Sequence, residues 1–154
     1  MESRVRVLVV AENVSERLRA VSALKLHADA EVTEAEDAET ARQALLRDQD
    51  VYDVIVIDGD LRPRGGFAIL YDLRQQAALE GFTPLPALVM VERSQDAWLA
   101  DWAGANATLI KPVDPFELSR RVKELQGAVA PPYGGSAGTA KQVAAALGED
   151  ATGA

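Results

Sequence analysis

The chain has no cysteine and a single histidine, His27. Disulfides, thiolate nucleophiles and cysteine-based zinc sites are excluded, and so is any metal site that needs two imidazoles. Positive charge is also scarce. Sixteen Lys and Arg face 24 Asp and Glu, for a net charge of -8 and a pI near 4.7. That balance argues against a nucleic-acid partner, whose phosphates call for clustered Lys and Arg. No apolar run reaches the ~18 residues of a membrane span. The opening "MESRVRVLVVAEN" carries no signal-peptide core, so a cytoplasmic protein that does not cross a membrane is expected. What remains is a chain of 154 residues, 48% hydrophobic and 26% charged. Those values suit one globular domain with a proper core.

Short β-branched runs alternate with helical stretches. Strands are expected at 5–10 ("VRVLVV"), 30–36, 53–58 ("DVIVID"), 86–91 ("PALVMV") and 107–110. The continuous Val/Ile runs suit strands buried on both faces, and the weakly alternating 30–36 suits an edge strand. Helices are expected at 15–26 with Ser15 as N-cap, 38–48, 67–80 ending at Gly81, 94–105 and 114–126. Such alternation implies an α/β fold, a parallel five-stranded sheet with helices on both faces. The leading topology is flavodoxin-like (βα)5 with strand order 2-1-3-4-5. Sites in such sheets lie at the C-terminal ends of the strands, where Glu12 and Asp58 fall. The loop "AENVSER" lacks the Gly- or Ser/Thr-rich character of a phosphate cradle, which argues against a flavin carrier or a small flavodoxin-like enzyme. After Gln126 the composition turns rich in Gly, Ala and Pro. Residues 1–126 are therefore expected to form the domain and 127–154 a flexible tail, with a short helix at 139–147.

Four features then fall in order: an acid after the first strand ("VVAEN"), Asp58 closing the third, a Pro/Gly loop opening the third helix ("LRPRGGF"), and a Lys-Pro pair after the fifth strand ("IKPVDPFEL"). On these the chain resembles the receiver domain of two-component response regulators over residues 4 to 126. The resemblance implies an acyl-phosphate chemistry in which Asp58 attacks a phosphoryl donor. Charge on the phosphoryl oxygens is met by a hard cation and a fixed ammonium. Asp58 would be phosphoacceptor and metal ligand. Glu12 would supply a second carboxylate to Mg²⁺, the Asp60 carbonyl a third ligand, and Lys111 the ammonium. The side chain of Asp60 is expected to be a solvated loop acid. Lys111-Pro112 would be a cis peptide.

The departures from the family pattern are equally specific. The first acid position after strand 1 is Ala11. The Ser/Thr that ends the fourth strand is Val91, and the switch aromatic of the fifth strand aligns with Thr108. The loop proline, Pro63, is displaced by one residue. Loss of the hydroxyl alone removes a hydrogen bond to a charged group, worth about 1.5–3 kcal/mol, and loss of the acid at Ala11 weakens any Mg²⁺ site. The expected function is a degenerate receiver: no enzyme, but a phosphorylation-independent protein-binding or accessory subunit. The alternative is a working single-domain response regulator, phosphorylated on Asp58 by a histidine kinase.

The partner surface is expected on the fourth helix, fifth strand and fifth helix. Trp98 and Trp102, four apart on one side of that helix, would be its apolar anchors, and Arg120, Arg121 and Lys123 its polar rim. His27 needs no function. The stretches "DGDLRPRGGFAI" and "WLADW…KPVDP" are similar to those of orphan receiver-like proteins of actinobacteria. At least one group of those is associated with respiratory complex I, the proton-pumping NADH dehydrogenase. That likeness implies an accessory protein peripheral to a membrane complex.

Overall fold

The structure, a computed structural model, describes residues 4–47, 51–61 and 65–134. Five strands and five helices alternate along them. These are β1 (Arg6–Val10), α1 (Val14–His27), β2 (Glu31–Ala35), α2 (Ala38–Arg47), β3 (Val54–Asp58), α3 (Gly65–Glu80), β4 (Ala87–Val91), α4 (Ala97–Ala103), β5 (Ala107–Ile110) and α5 (Pro115–Leu125). All pairings are parallel, and the sheet order is β2-β1-β3-β4-β5. This is the flavodoxin-like arrangement that the alternation predicts.

The period-2 geometry of strands divides the core in two. Leu8, Val10, Ile55, Ile57, Val89 and Val91 pack toward α2, α3 and α4. Val7, Val9, Val54, Val56, Leu88 and Met90 pack toward α1 and α5. β3 and β4 are buried at every position, whereas β2 at one edge and β5 at the other are only partly covered. The same alternation assigns Ala11, Asp58 and Lys111 to the α1/α5 side at the C-terminal edge of the sheet. Strand periodicity thus aims an acid and an amine, distant in sequence, into one region.

Local chemistry sets the helix ends. Asn13, not Ser15, caps α1: its Oδ1 accepts the Glu16 N–H at 2.9 Å. Asp37 does the same for Thr40 at the start of α2 (2.7 Å). Asp114 accepts from Glu117 N–H at 2.9 Å, with Pro115 in the first turn of α5. The expected helix 94–105 proves shorter. Ser94–Asp96 form one 3-10 turn, and Gly104, at φ 94°, stops α4 after Ala103. Gly81, at φ 74°, follows the end of α3 as expected.

The stretch after α5 departs from the expected free tail. Asn106 Nδ2 donates to the Val129 carbonyl (2.9 Å), and Gly134 N–H to the Trp102 carbonyl (2.6 Å). Tyr133 meets Tyr71 edge-on, centroids 5.5 Å apart. The chain therefore turns back over the α3/α4 end of the molecule through Gly134. The expected helix at 139–147 lies outside the described residues, as do Pro63 and Asp48. Among the described residues no helix is long and apolar enough to cross a membrane.

Candidate functional site

Asp58 is the last residue of β3, in register with Met90, and only 4% exposed. Its Oδ1 accepts the Asp60 N–H at 2.9 Å. This side-chain-to-backbone closure two residues on is the habit of Asx turns. The turn is held further by Gly59 N–H to the Met90 carbonyl (2.7 Å) and Gly66 N–H to the Gly59 carbonyl (3.0 Å). Gly66 is there because nothing larger fits. A Cβ at this position would collide with the Asp58 carbonyl and Ile57 Cγ2.

Lys111 reaches the same point from the end of β5, at the edge of the sheet. Its N–H donates to the Val91 carbonyl (2.7 Å), which fixes the backbone at the end of β5. Its Nζ lies 2.7 Å from Asp58 Oδ1, 3.0 Å from Asp60 Oδ2 and 3.3 Å from Glu16 Oε2. The Lys111 side chain is 11% exposed and that of Asp58 6%. Burial opposes the ammonium charge, but the hydrogen bonds that Lys111 donates to Asp58 and Asp60, and the charges of those carboxylates, outweigh it. The Lys111 pKa is therefore raised above the usual lysine value. The Lys111-Pro112 peptide is cis, as the resemblance implies.

The structure thus brings together Asp58, Asp60 and Lys111, and adds Glu16. Asp60 is an exposed turn acid as expected, and its carboxylate also pairs with Lys111. Glu16 was invisible as a site residue because it reads as a first-turn acid of α1. Its place one turn past Glu12 is the only signal that would have found it. Arg17 also went unremarked. It donates to the Ala11 carbonyl (2.8 Å) and the Glu12 carbonyl (3.3 Å) and pairs with Glu34 (3.0 Å). It thereby closes the carbonyls left open at the end of β1.

Glu12 itself is exposed. The carboxylates of Asp58, Asp60 and Glu16 converge on an ammonium instead of a common cation position. Among the described residues no group of three or more acids or histidines is arranged to hold a metal ion. Ala11 and Val91 are both fully buried, apolar where the family pattern places an acid and a hydroxyl. Thr108 is half-buried in β5.

Comparison with known proteins fits this geometry. A family model for the response regulator receiver domain matches residues 7–123. The chain belongs to the response regulator receiver family. Two proteins of Mycobacterium tuberculosis, each named an uncharacterized response regulatory protein, are 36% identical to this receiver over 123 residues, covering 78% of it and 90% of their own length. A putative response regulator of Chloroflexus aurantiacus superposes with a TM-score of 0.70 at 25% identity, covering 81% of this chain and 99% of its own. A chemotaxis response regulator of Vibrio cholerae gives 0.64 at 25% identity, over 80% and 99%. The receiver domain of a Saccharomyces cerevisiae response regulator, solved with a histidine phosphotransfer signaling protein, matches in fold (TM-score 0.70, 20% identity, 80% and 90% covered).

The two tryptophans have different surroundings. Trp98 is 36% exposed. Trp102 stacks on Tyr71 of α3, centroids 4.4 Å apart and 10° from parallel, and so is committed to the domain. Near Trp98 in sequence or on β5 and α5, Ile110 and Phe116 are also exposed, although Phe116 lies against His27, centroids 4.3 Å apart. Arg120 and Arg121 both pair with Glu124 of their own helix, at 3.5 and 3.6 Å.

Proposed function

We infer that this receiver binds a protein partner without phosphorylation-dependent switching and performs no catalysis. One observation carries the reading: the Lys111 ammonium is already neutralised by Asp58, Asp60 and Glu16. A phosphoryl group on Asp58 would need that ammonium and a cation. Here the ammonium is engaged, the first acid position is Ala11, and Val91 offers no hydroxyl. On this reading Mg²⁺ plays no part, and the acid cluster serves as a structural pin between β3, β5 and α1.

The partner surface we assign is the face of α4, β5 and α5 with Trp98 at its centre; Arg120 and Arg121 form its rim and Trp102 lies behind it. The assembly to test first is respiratory complex I. Support comes from the likeness of "DGDLRPRGGFAI" and "WLADW…KPVDP" to orphan actinobacterial receivers, and from relatives in an actinobacterium. The protein would then sit in the cytoplasm, peripheral to the membrane. A second reading is a working receiver phosphorylated on Asp58 by a histidine kinase. It is supported by the yeast neighbour solved with a phosphotransfer protein.

Pull-down from native cytosol and detergent-solubilised membranes separates the two readings. Wild-type and Asp58→Ala bait should return the same partner, and Trp98→Ala should lose it while keeping its far-UV circular dichroism. Loss of the partner with a folded Asp58→Ala bait would hand the function back to the acid site.

A further inference from the structure

A cavity of about 320 Å³ opens between α2, α3 and the segment joining α3 to β4. That segment leads into the N-terminal end of β4, so the cavity lies at the opposite edge of the sheet from Asp58 and is independent of the function inferred for that site. Its lining is mixed: Leu45, Leu73, Ala77, Phe82 and Leu85 supply apolar surface, and Arg74, Gln76 and Thr83 also line it. Phe82, one of the lining residues, is 36% exposed.

One wall is a cation. Arg74, on α3, is only 4% exposed, yet its side-chain partners among the described residues are backbone carbonyls alone. Nε and Nη2 donate to the Gly104 carbonyl (3.2 and 2.9 Å), and Nη1 to the Leu85 carbonyl. Those bonds hold α3 to the end of α4 and to the cavity wall. They leave a second N–H on each terminal nitrogen and bring no negative charge. Burial without a counter-ion pushes the guanidinium pKa down to about 10. A buried charge is ordinarily paired, and a cavity with apolar surface and a few polar groups is the usual form of a small-ligand site, at the small end of the ~300–1,000 Å³ range.

We propose that this cavity binds a small monocarboxylate with an apolar body, the carboxylate on Arg74 and the body against Leu45, Leu73 and Phe82. The shape of the guanidinium favours a planar carboxylate, which it can meet with parallel N–H donors. The apolar side chains of Leu45, Leu73 and Phe82 favour a hydrocarbon body beyond the carboxylate.

Octanoate is the probe, with octanol and acetate as controls that keep only the chain or only the charge. Amide resonances of the full-length chain are followed by ¹H–¹⁵N correlation during each titration. Octanoate should shift amides around Leu45, Leu73, Ala77 and Phe82 saturably, at least tenfold more tightly than octanol, and acetate should shift none of them. Phe82→Ala, at an exposed position, should stay folded and weaken octanoate severalfold. Equal affinity for octanol would overturn the anion assignment. Absence of saturable shifts at these amides, or an unchanged affinity in Phe82→Ala, would overturn the site itself.

Discussion

Lys111→Met keeps the length of the side chain and removes only the ammonium that three carboxylates share. Asp58 then sits almost wholly buried with the Asp60 N–H as its recorded hydrogen-bond donor, and Asp60 and Glu16 lose their partner beside it. Deleting one member of a buried ion pair costs roughly 3–5 kcal/mol because the other charge stays uncompensated. Asp60 and Glu16 are still 35% and 37% exposed at their side chains, so water recovers part of that and the low end, about 3 kcal/mol, is expected. For a domain of this size each kcal/mol lowers the Tm by ~3–5 °C, which gives a fall of about 10–15 °C. Urea unfolding followed by tryptophan fluorescence, at constant m, measures it directly. Asp58→Asn/Lys111→Met should recover most of the loss, since the double change removes the orphaned charge along with its partner. A single-variant loss below ~0.5 kcal/mol, the range of surface pairs, would refute the view of Lys111 as a structural pin. Because the Lys111 pKa is raised, its contribution is complete below the ordinary lysine value of about 10.4 and is lost only as pH climbs through the higher folded value. The cost of Lys111→Met should therefore not change between pH 6 and 9.

Other consequences follow from the same structure. Gly66→Ala should destabilise by ~3 kcal/mol or more, because its methyl meets the Asp58 carbonyl, whereas Gly81→Ala, with open space around it, should cost about 1 kcal/mol for its positive φ alone; thermal melts of both compare them. Trp102→Ala should cost about 2–3 kcal/mol through the lost stack on Tyr71, and the more exposed Trp98→Ala about half as much, both read by denaturant titration followed by circular dichroism. Asp53 accepts from the Arg6 backbone N–H (2.9 Å) and guanidinium (3.1 and 3.3 Å). Burial works against its charge, but these bonds win and lower its pKa. Its stabilisation is therefore present above the ordinary aspartate value and lost as pH falls through the lower folded one. Asp53→Asn should cost about 1 kcal/mol at pH 7 and nothing once pH is well below 3, as urea titrations at both pH values would show.

Where sequence and structure agree, the reason is periodicity. Unbroken apolar runs at 54–57 and 87–91 have one stable location in an α/β domain, the middle of the sheet, and β3 and β4 are found there. The Asp58–Lys111 contact was legible through the family resemblance, which pairs the acid closing β3 with the Lys-Pro after β5. Glu16 and Arg17 were not, since a first-turn acid and base on α1 look like ordinary helix surface until α1 docks and turns them toward the strand ends. The role of Trp102 was missed for a similar reason. Spacing places it on the side of Trp98, but α4 has only seven residues, and Tyr71 on another helix decides which ring is covered. The path of residues 127–134 depends on single hydrogen bonds to Asn106 and Trp102, a kind of contact that composition does not reveal.

The central claim is that the acid site does not switch the receiver. It is tested most directly by ¹H–¹⁵N correlation spectra of the wild-type chain with Mg²⁺ and beryllofluoride, a stable mimic of an aspartyl phosphate. The account predicts that resonances of Asp58, Val91, Thr108 and α4 stay where they are at millimolar concentrations of both. Saturable shifts that begin at Asp58, spread to Thr108 and Trp98, and vanish in Asp58→Asn would contradict it.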